Sequence, residues 1–322
     1  MAASVRIYSS LSGARSDFGP CALTIGNFDG VHAGHRRILR RVVETGAQRG
    51  LTPSALLFDP HPTRVVAPER APRLMTTPEE RCELMGSEGI QQALILPFDR
   101  QVAALGPEEF IVQILVEALR ARVVLVGDNF RFGNRAAGTT ESLAEAGRRL
   151  GFDTEAVPAV KVRGRGLPCD VSSSAIRKAV EAGDVYAAGR MLARPYWLQG
   201  SVVAGHGVGA KQTVPTLNLR TESEMLPKTG VYVTRTFDID SGTRWPSVTN
   251  IGYRPTFEGD ALSIESFLLA GPLEGTGPAR IRVEFLRRIR DERKFESPAA
   301  LKAQILRDAA LSQRYLRRVS RL

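Results

Sequence analysis

Cysteine is scarce in this chain. Cys21, Cys82 and Cys169 are spread over 322 positions with no Cys-x-x-Cys pair and no histidine at ligand spacing, which argues against a disulfide framework and a zinc ribbon. Long apolar runs are missing too. None approaches the ~20 residues a bilayer span needs, and the opening MAASVRIYSSLSGARSDFGP lacks the apolar stretch of a secretory signal. The expectation is a cytoplasmic protein with no membrane partner. Aromatic residues are few, at 7%, and do not alternate with basic residues as a base-stacking surface requires. No internal repeat or low-complexity segment occurs.

With 43% hydrophobic and 24% charged residues, the chain can build cores without covalent staples. Its length suggests about two domains at ~150 residues each. A disordered tail, a collagen and a peptide scaffold are excluded. Lys and Arg outnumber Asp and Glu by 44 to 34. From Arg280 onward the count is thirteen to five, so most of the surplus is local. It reads as the solvated face of a terminal helix, and no nucleic-acid partner is expected.

The first half alternates strand and helix signals. Strand-like runs at 22–25, 54–58, 93–96 and 123–126 are separated by helical periodicity from His35 (Ile38, Leu39, Val42, Val43), a capping box at Thr77-Pro78-Glu79-Glu80, and helices over 107–119 and 140–150. Residues 155–162 read as extended. Strand and helix in turn predict a doubly wound α/β domain with a parallel sheet, spanning 1–183, whose ligands bind beyond the carboxyl ends of the strands. The helical stretch 174–193 reads as the linker. From Tyr196 onward the segments are short, β-rich and punctuated by Gly and Pro, the pattern of an antiparallel barrel or sandwich over 184–322. One helix closes the chain, with Ser297 as cap, Pro298 at its first position, and Leu301, Ile305 and Leu316 among its apolar positions.

The most informative segment is GNFDGVHAGH, Gly26 to His35, between the first strand run and the first helix. Gly26 and Gly30 allow a tight turn, and the helix start near residue 33 offers free N–H groups and a positive dipole end to an anion. His32 and His35 are three apart, so both imidazoles can point at one phosphate. A zinc pair with a third ligand from elsewhere is the other reading of these histidines.

HxGH after a first strand resembles the nucleotidylyltransferase superfamily. The longer GNFDGVHAGH, with Asp59-Pro60-His61-Pro62, NFRFG at 129–133 and VSSSAIR at 171–177, resembles the bacterial bifunctional riboflavin kinase/FMN adenylyltransferase, or FAD synthetase, family. The resemblance implies that Gly26, Asn27, Phe28, Asp29, Gly30, His61, Asn129, Phe130, Ser173 and Ser174 contact ATP or flavin, with His32, His35 and Arg177 stabilising charge on the α-phosphate. Asp29 reads equally as a turn-fixing residue, and Phe130 as core.

In the second half, Pro215-Thr216-Leu217-Asn218 resembles the PTxN motif of flavokinases, with Gly207, Gly209 and Lys211 in the preceding glycine-rich segment. Thr216 and Asn218, two apart on an extended segment, share a face and can reach one Mg²⁺ and its phosphates. Glu265 matches the family's catalytic base; as a structural residue it would need a partner such as Arg282 or Arg244. Ala210 and Thr213 depart from the family's arginine and second glycine, and 272–275 replaces its LYG. The implied reactions are riboflavin to FMN and FMN to FAD, with ATP, riboflavin and FMN as substrates, Mg²⁺ as cofactor, and a monomer or small homo-oligomer. A barrel kept only as a flavin-binding module beside an active adenylyltransferase is the alternative.

Overall fold

A computed structural model of the chain describes residues 5–163, 168–203, 215–256, 259–269, 277–293 and 295–319. The chain divides into two compact units, Met1–Ser173 and Ser174–Leu322.

In the first unit the strands and helices follow in the order β1 (Arg6–Tyr8), α1 (Leu11–Asp17), β2 (Cys21–Ile25), α2 (Ala33–Arg49), β3 (Thr52–Asp59), α3 (Pro62–Val66), α4 (Pro78–Ser87), β4 (Gln92–Pro97), α5 (Arg100–Ala104), α6 (Pro107–Phe110), β5 (Ala121–Gly127), β6 (Arg131–Phe132), β7 (Gly138–Thr139), α7 (Thr140–Leu150), β8 (Asp153–Val157), β9 (Lys161–Arg163) and β10 (Pro168–Asp170). Six strands form one parallel sheet in the order β1-β4-β3-β2-β5-β8. Its strands read as unbroken apolar runs because both faces are covered. Leu23, Leu56, Leu94 and Val124 pack with Phe18, Phe110, Ile114 and Phe152 on one face. Their neighbours Ala22, Ala55, Ala93 and Val123 pack with Leu39, Val42, Met85 and Ile90 on the other, as the two-residue alternation of a strand demands.

The capping box at Thr77 is present: Glu80 N donates to Thr77 Oγ1 at 3.2 Å, and Thr77 N donates to a Glu80 carboxylate oxygen at 2.8 Å. The helix read over 107–119 differs. Only its first turn, α6, is α-helical; Ile111–Ala118 is a π-helix, closed by Leu119 N donating to Ile114 O at 3.0 Å. Ile111, Ile114, Leu115 and Ala118 are all buried, so the wider helix keeps the apolar side on the sheet, and packing outweighs the usual i−4 register.

The second unit holds all but the first residue of α8 (Ser173–Glu181), then α9 (Val185–Leu192), β11 (Tyr196–Val203), β12 (Thr216–Thr221), β13 (Gly230–Asp238), β14 (Arg244–Thr256), β15 (Gly259–Leu268), β16 (Arg280–Arg290) and α10 (Pro298–Val319). The six strands close a barrel in the order β11-β12-β15-β14-β13-β16, every pair antiparallel. Buried within it, the hydroxyls of Thr234, Thr236, Ser247, Thr249 and Ser266 bond one another at 2.6–3.2 Å, so no described member of this polar cluster lacks a partner.

The stretch 174–193 is two helices and part of the barrel unit. Gly183, at φ +78, breaks it; a Cβ there would lie 2.6 Å from Arg288 Cδ, so only glycine fits. α9 packs on β11 and β16. The compact division therefore falls ten residues before the boundary read at 183, the difference being α8. The C-terminal helix begins where the reading placed it. Ser297 Oγ accepts from Ala300 N at 3.2 Å, as a cap should. Leu301, one of its apolar positions, is 37% exposed, while Asp308 and Ser312 are buried. The helix packs on β13 and β14, and Asp308 pairs with Arg290 on β16.

Candidate functional site

In the parallel sheet the chain steps from β2 to β3 and β4 on one side, and places β5 and β8 on the other. β2 and β5 thus flank the point where the winding reverses, and the loops leaving their carboxyl ends diverge to leave a crevice. Gly26–His32 leaves β2 and the segment beginning at Asp128 leaves β5, so both motif segments reach the crevice by topology alone.

The turn after β2 is tightly constrained. Gly30 has φ +79, and Phe28 and Val31 are held at φ +48 and +39, conformations a β-branched residue rarely adopts. Buried bonds hold it there. Asp29 Oδ1 accepts from Met75 N at 3.0 Å, Thr76 N at 3.1 Å and Thr76 Oγ1 at 3.0 Å, while Gly30 N donates to Thr76 Oγ1 at 2.9 Å. Arg81, fully buried on α4, donates from Nη1 to Asn27 O at 3.1 Å and from Nη2 to Thr76 O at 3.1 Å. Burial pulls the Arg81 guanidinium below its ordinary pKa, with Asp29 and Asp59 opposing that shift. Ser173 Oγ donates to Asp29 O at 2.9 Å, so this hydroxyl is committed to the turn backbone. Asp29 is likewise turned inward onto residues 75–76.

On this frame His32 caps α2. Its Nδ1 accepts from His35 N at 3.2 Å, which in the neutral ring places the proton on Nε2 and makes that nitrogen a donor. The two imidazoles stack with centroids 3.6 Å apart and planes 14° from parallel. Phe28 meets His35 edge-on at 5.0 Å. His35 Nδ1 is buried with no hydrogen-bond partner. Burial first, then the proximity of His32 and Arg81, hold the His35 pKa well below its ordinary 6.5, so at neutral pH it is an uncharged ring. Gly34 explains the glycine between them: a Cβ there would sit 3.1 Å from His32 Cε1.

His61, at the end of β3, caps α3, and its Nε2 lies 3.1 Å from the Asn27 side-chain amide. Two motif segments far apart in sequence are thus joined. Asn129 is exposed just past β5, in a turn closed by Phe130 N donating to Gly127 O at 3.0 Å. Phe130 stacks on Phe132 at 5.6 Å and packs against the core. Ser174 and Arg177 lie on α8 at a spacing that gives them one helix face. Among the described residues no group of three or more His, Cys, Asp or Glu could hold a metal ion, so the zinc reading gains no third ligand there. Sequence reading missed Arg81 and Thr76. The capping box next to them was legible, but a charged residue in a first helical turn ordinarily faces water.

In the barrel, Thr216 and Asn218 share the face of β12 opposite buried Leu217 and Leu219. Asn218 and Asn250 both stand in register with Glu265, so an Asn–Glu–Asn row crosses β12, β15 and β14 on one side of the sheet. Glu265 is 8% exposed and accepts from Ser263 Oγ at 2.9 Å. The arginines considered as its structural partners are occupied elsewhere: Arg282 donates twice to Gln199 Oε1, at 2.8 and 3.0 Å, and Arg244 lies over the Phe237 ring at 5.3 Å. Pro215 leads into β12, its carbonyl accepting from Leu268 N at 2.9 Å. Gly207, Gly209, Lys211, Ala210 and Thr213 lie outside the described residues, as does 272–275.

A doubly wound domain with a stacked histidine pair at its switch point, followed by a closed antiparallel barrel with a PTxN strand, defines a two-part nucleotide-using transferase. Comparison with known proteins agrees: the family model for FAD synthetase matches residues 14–174 and that for riboflavin kinase matches residues 192–316. Bifunctional riboflavin kinase/FMN adenylyltransferases from Pseudomonas fluorescens and Escherichia coli K12 are each 35% identical, over 96% of this chain and 97% of the relative, and over 92% of both, respectively. The Bacillus subtilis one is 31% identical over 91% of this chain and 92% of the relative. A crystal structure from Streptococcus pneumoniae, described as a macrolide-efflux protein, has the same fold, with TM-score 0.82, 26% identity, and coverage of 96% of this chain and 99% of that one. The chain belongs to the bifunctional riboflavin kinase/FMN adenylyltransferase family.

Proposed function

We propose that the two activities are divided between the two halves of the chain: the barrel makes FMN from riboflavin and ATP, and the parallel-sheet domain makes FAD from FMN and ATP with release of pyrophosphate. The tandem family matches carry the bifunctional reading and disfavour a barrel kept only for binding. The functional domains proposed are 1–183 for adenylylation and 184–322 for phosphorylation.

For adenylylation, the FMN phosphate oxygen attacks the α-phosphorus of ATP, the new P–O bond forming as the bond to the pyrophosphate oxygen breaks. His32 Nε2–H, fixed by its capping bond, donates to an α-phosphate oxygen, and neutral His35 stacks behind it in a dry site where such bonds gain strength. The N-terminus of α2 adds dipole and N–H groups. Ser174 and Arg177 grip phosphates, and Asn27, His61 and Asn129 line the nucleotide and flavin side. No covalent enzyme intermediate is needed.

For phosphorylation, Glu265 takes the proton from the ribityl 5′-hydroxyl as the hydroxyl oxygen attacks the γ-phosphorus of ATP, the bond to the β,γ-bridging oxygen breaking and ADP leaving. The family is ATP-dependent, and such transfer generally uses a divalent metal. Thr216 and Asn218 offer two hard oxygen donors on one strand face, the kind of incomplete protein set that Mg²⁺ tolerates because it keeps waters and substrate phosphates. Mg²⁺ bound there would neutralise charge on the phosphates. No helix among the described residues is long and apolar enough to cross a membrane. The enzyme proposed is cytoplasmic, acts on the small molecules ATP, riboflavin and FMN without nucleic-acid or membrane partners, and is a monomer or small homo-oligomer.

Chromatography of flavins formed from riboflavin and Mg-ATP tests the assignment. His35→Ala should accumulate FMN without FAD, and Glu265→Ala should form neither from riboflavin yet still convert FMN to FAD. Loss of both reactions in either variant, each still folded, would overturn it.

A further inference from the structure

A cavity of about 440 Å³ opens on the outer side of β13, β14 and β16, lined by Arg235, Phe237, Ile239, Arg244, Arg282 and Glu284. It shares β14 with the Asn–Glu–Asn row, but Arg244 stands six residues from Asn250 along that strand, about 20 Å, and the β13–β16 seam is farthest from the β12–β15 seam in the closed order β11-β12-β15-β14-β13-β16; the cavity is thus separate from the PTxN strand and Glu265. Its residues face outward by alternation: Arg235 and Phe237 alternate with buried Thr234 and Thr236, and Arg282 and Glu284 with buried Ile281 and Val283.

Three arginines face two carboxylates here, and all three act on the Glu284 carboxylate. Glu284 is engaged by Arg235, at 3.0 Å between Oε2 and Nη2. Asp238, also on the rim, is committed to its own turn, accepting from Ser241 Oγ at 2.6 Å and Asp240 N at 3.0 Å. Two guanidiniums remain. Arg244 makes no ion pair among the described residues, and Arg282 is held by the neutral Gln199 amide and stacked 4.2 Å from the centroid of Trp197. Both stand in register with Phe237, one on each side, so an Arg–Phe–Arg row spans three strands, with cross-strand Cβ spacings of about 5 Å per step. Arg235 Nε is buried with no acceptor. A half-buried aromatic ring between two guanidiniums that make no direct ion pair among the described residues, in a lining with three arginines to two carboxylates and beside an orphaned donor, is a polar-apolar combination suited to a ring compound carrying phosphates.

We propose that this cavity is a second, non-catalytic binding site for a nucleotide with a diphosphate, the phosphates bridging Arg244 and Arg282 and the ring lying on Phe237 and Ile239. Adenine nucleotides and FAD both present that chemistry, and binding there would let the level of a product or co-substrate be sensed on the barrel away from its reacting atoms.

The test is calorimetric titration of the full-length protein with ADP, FAD and inorganic pyrophosphate in separate arms, for wild type, Arg244→Glu and Phe237→Ala. Trp197 stacks against Arg282, so its emission gives a second readout in the ADP and pyrophosphate arms. Wild type should show one binding equivalent more than Arg244→Glu, or that equivalent weakened roughly tenfold or more in the variant, with emission no longer responding. Phe237→Ala should weaken ADP or FAD but spare pyrophosphate; the nucleotide bound more tightly identifies the source. Rates of FMN and FAD formation at saturating substrate should stay within about twofold of wild type. Arg244→Gln serves as a second variant, with the melting temperature checked for each. Identical stoichiometry and affinities in wild type and both Arg244 variants would overturn the proposal. So would loss of FMN formation in them, which would make the cavity part of the kinase site, or Arg244-dependent binding of an oligonucleotide without binding of ADP or FAD.

Discussion

Arg81, sealed from solvent in the first turn of α4, donates through Nη1 to the backbone carbonyl of Asn27 at 3.1 Å and through Nε and Nη2 to that of Thr76 at 3.3 and 3.1 Å. One guanidinium therefore ties the turn that carries the histidines to the segment that binds the Asp29 carboxylate. Arg81→Met would strip both carbonyls of their donor and remove the cation near Asp29 and Asp59, a loss of about 2–4 kcal/mol from the first unit. Arg81→Lys keeps the charge but cannot span two carbonyls with a planar fork. We expect FAD formation from FMN to fall by roughly tenfold or more in both, with FMN formation in the barrel nearly unchanged. Equal losses in the two reactions would show that Arg81 supports the whole chain rather than this turn.

Gly34 makes a narrower prediction. Its backbone is compatible with alanine, and alanine is the better helix former by up to about 1 kcal/mol, so Gly34→Ala should fold. The new Cβ would stand 3.1 Å from His32 Cε1 and 3.2 Å from Nδ1, forcing the ring to yield by a few tenths of an ångström and disturbing the cap that fixes its tautomer. Adenylylation should drop by roughly tenfold while the melting curve holds and the kinase reaction proceeds. An unchanged FAD rate would remove His32 placement from the mechanism.

His35 links the site to acid stability. Unfolded, its imidazole takes a proton near its ordinary 6.5; folded, burial holds the pKa well below that value. Below 6.5 the unfolded chain thus binds the extra proton, and stability falls as pH is lowered, at up to about 1.4 kcal/mol per pH unit until the folded pKa is reached. Thermal melts between pH 7 and 5 should show the first unit losing stability, and His35→Gln should flatten that dependence. The same acid slope in the variant would assign it to other groups.

Local chemistry made much of this site readable in advance. Gly26, Gly30, His32 and His35 announce a strand-to-helix turn because left-handed backbone and a helix start both demand particular residues, and Thr77-Pro78-Glu79-Glu80 fixes its helix within four positions. The β12 alternation likewise put Thr216 and Asn218 on one face. What escaped reading depended on partners distant in sequence: the Arg81 bonds to Asn27, the π register at 111–118 set by packing on the sheet, and the Asn–Glu–Asn row, which exists only once β12, β15 and β14 are in register. Gly183 was visible as a break, but that α9 belongs with the barrel follows from its contacts with β11 and β16, and α8 falls within the same compact unit.

The C-terminal helix shows the same limit and yields its own test. Its cap and its apolar positions were legible, but not that Asp308, with its side chain 5% exposed, accepts from Arg290 Nε and Nη2 at 3.0 and 2.8 Å and from Gln304 Nε2 at 2.7 Å. Removing one partner of a buried pair leaves the other desolvated and unpaired, which costs about 3–5 kcal/mol. Asp308→Ala should therefore lower the barrel unit's resistance to urea strongly, whereas Leu301→Ala, at a position 37% exposed, should shift it by no more than about 0.5 kcal/mol. Combining Asp308→Leu with Arg290→Met should recover much of the loss, because neither partner then keeps an uncompensated charge. If Leu301→Ala proved as damaging as Asp308→Ala, the helix would be held by its apolar residues after all, and the ion pair would be incidental to its docking.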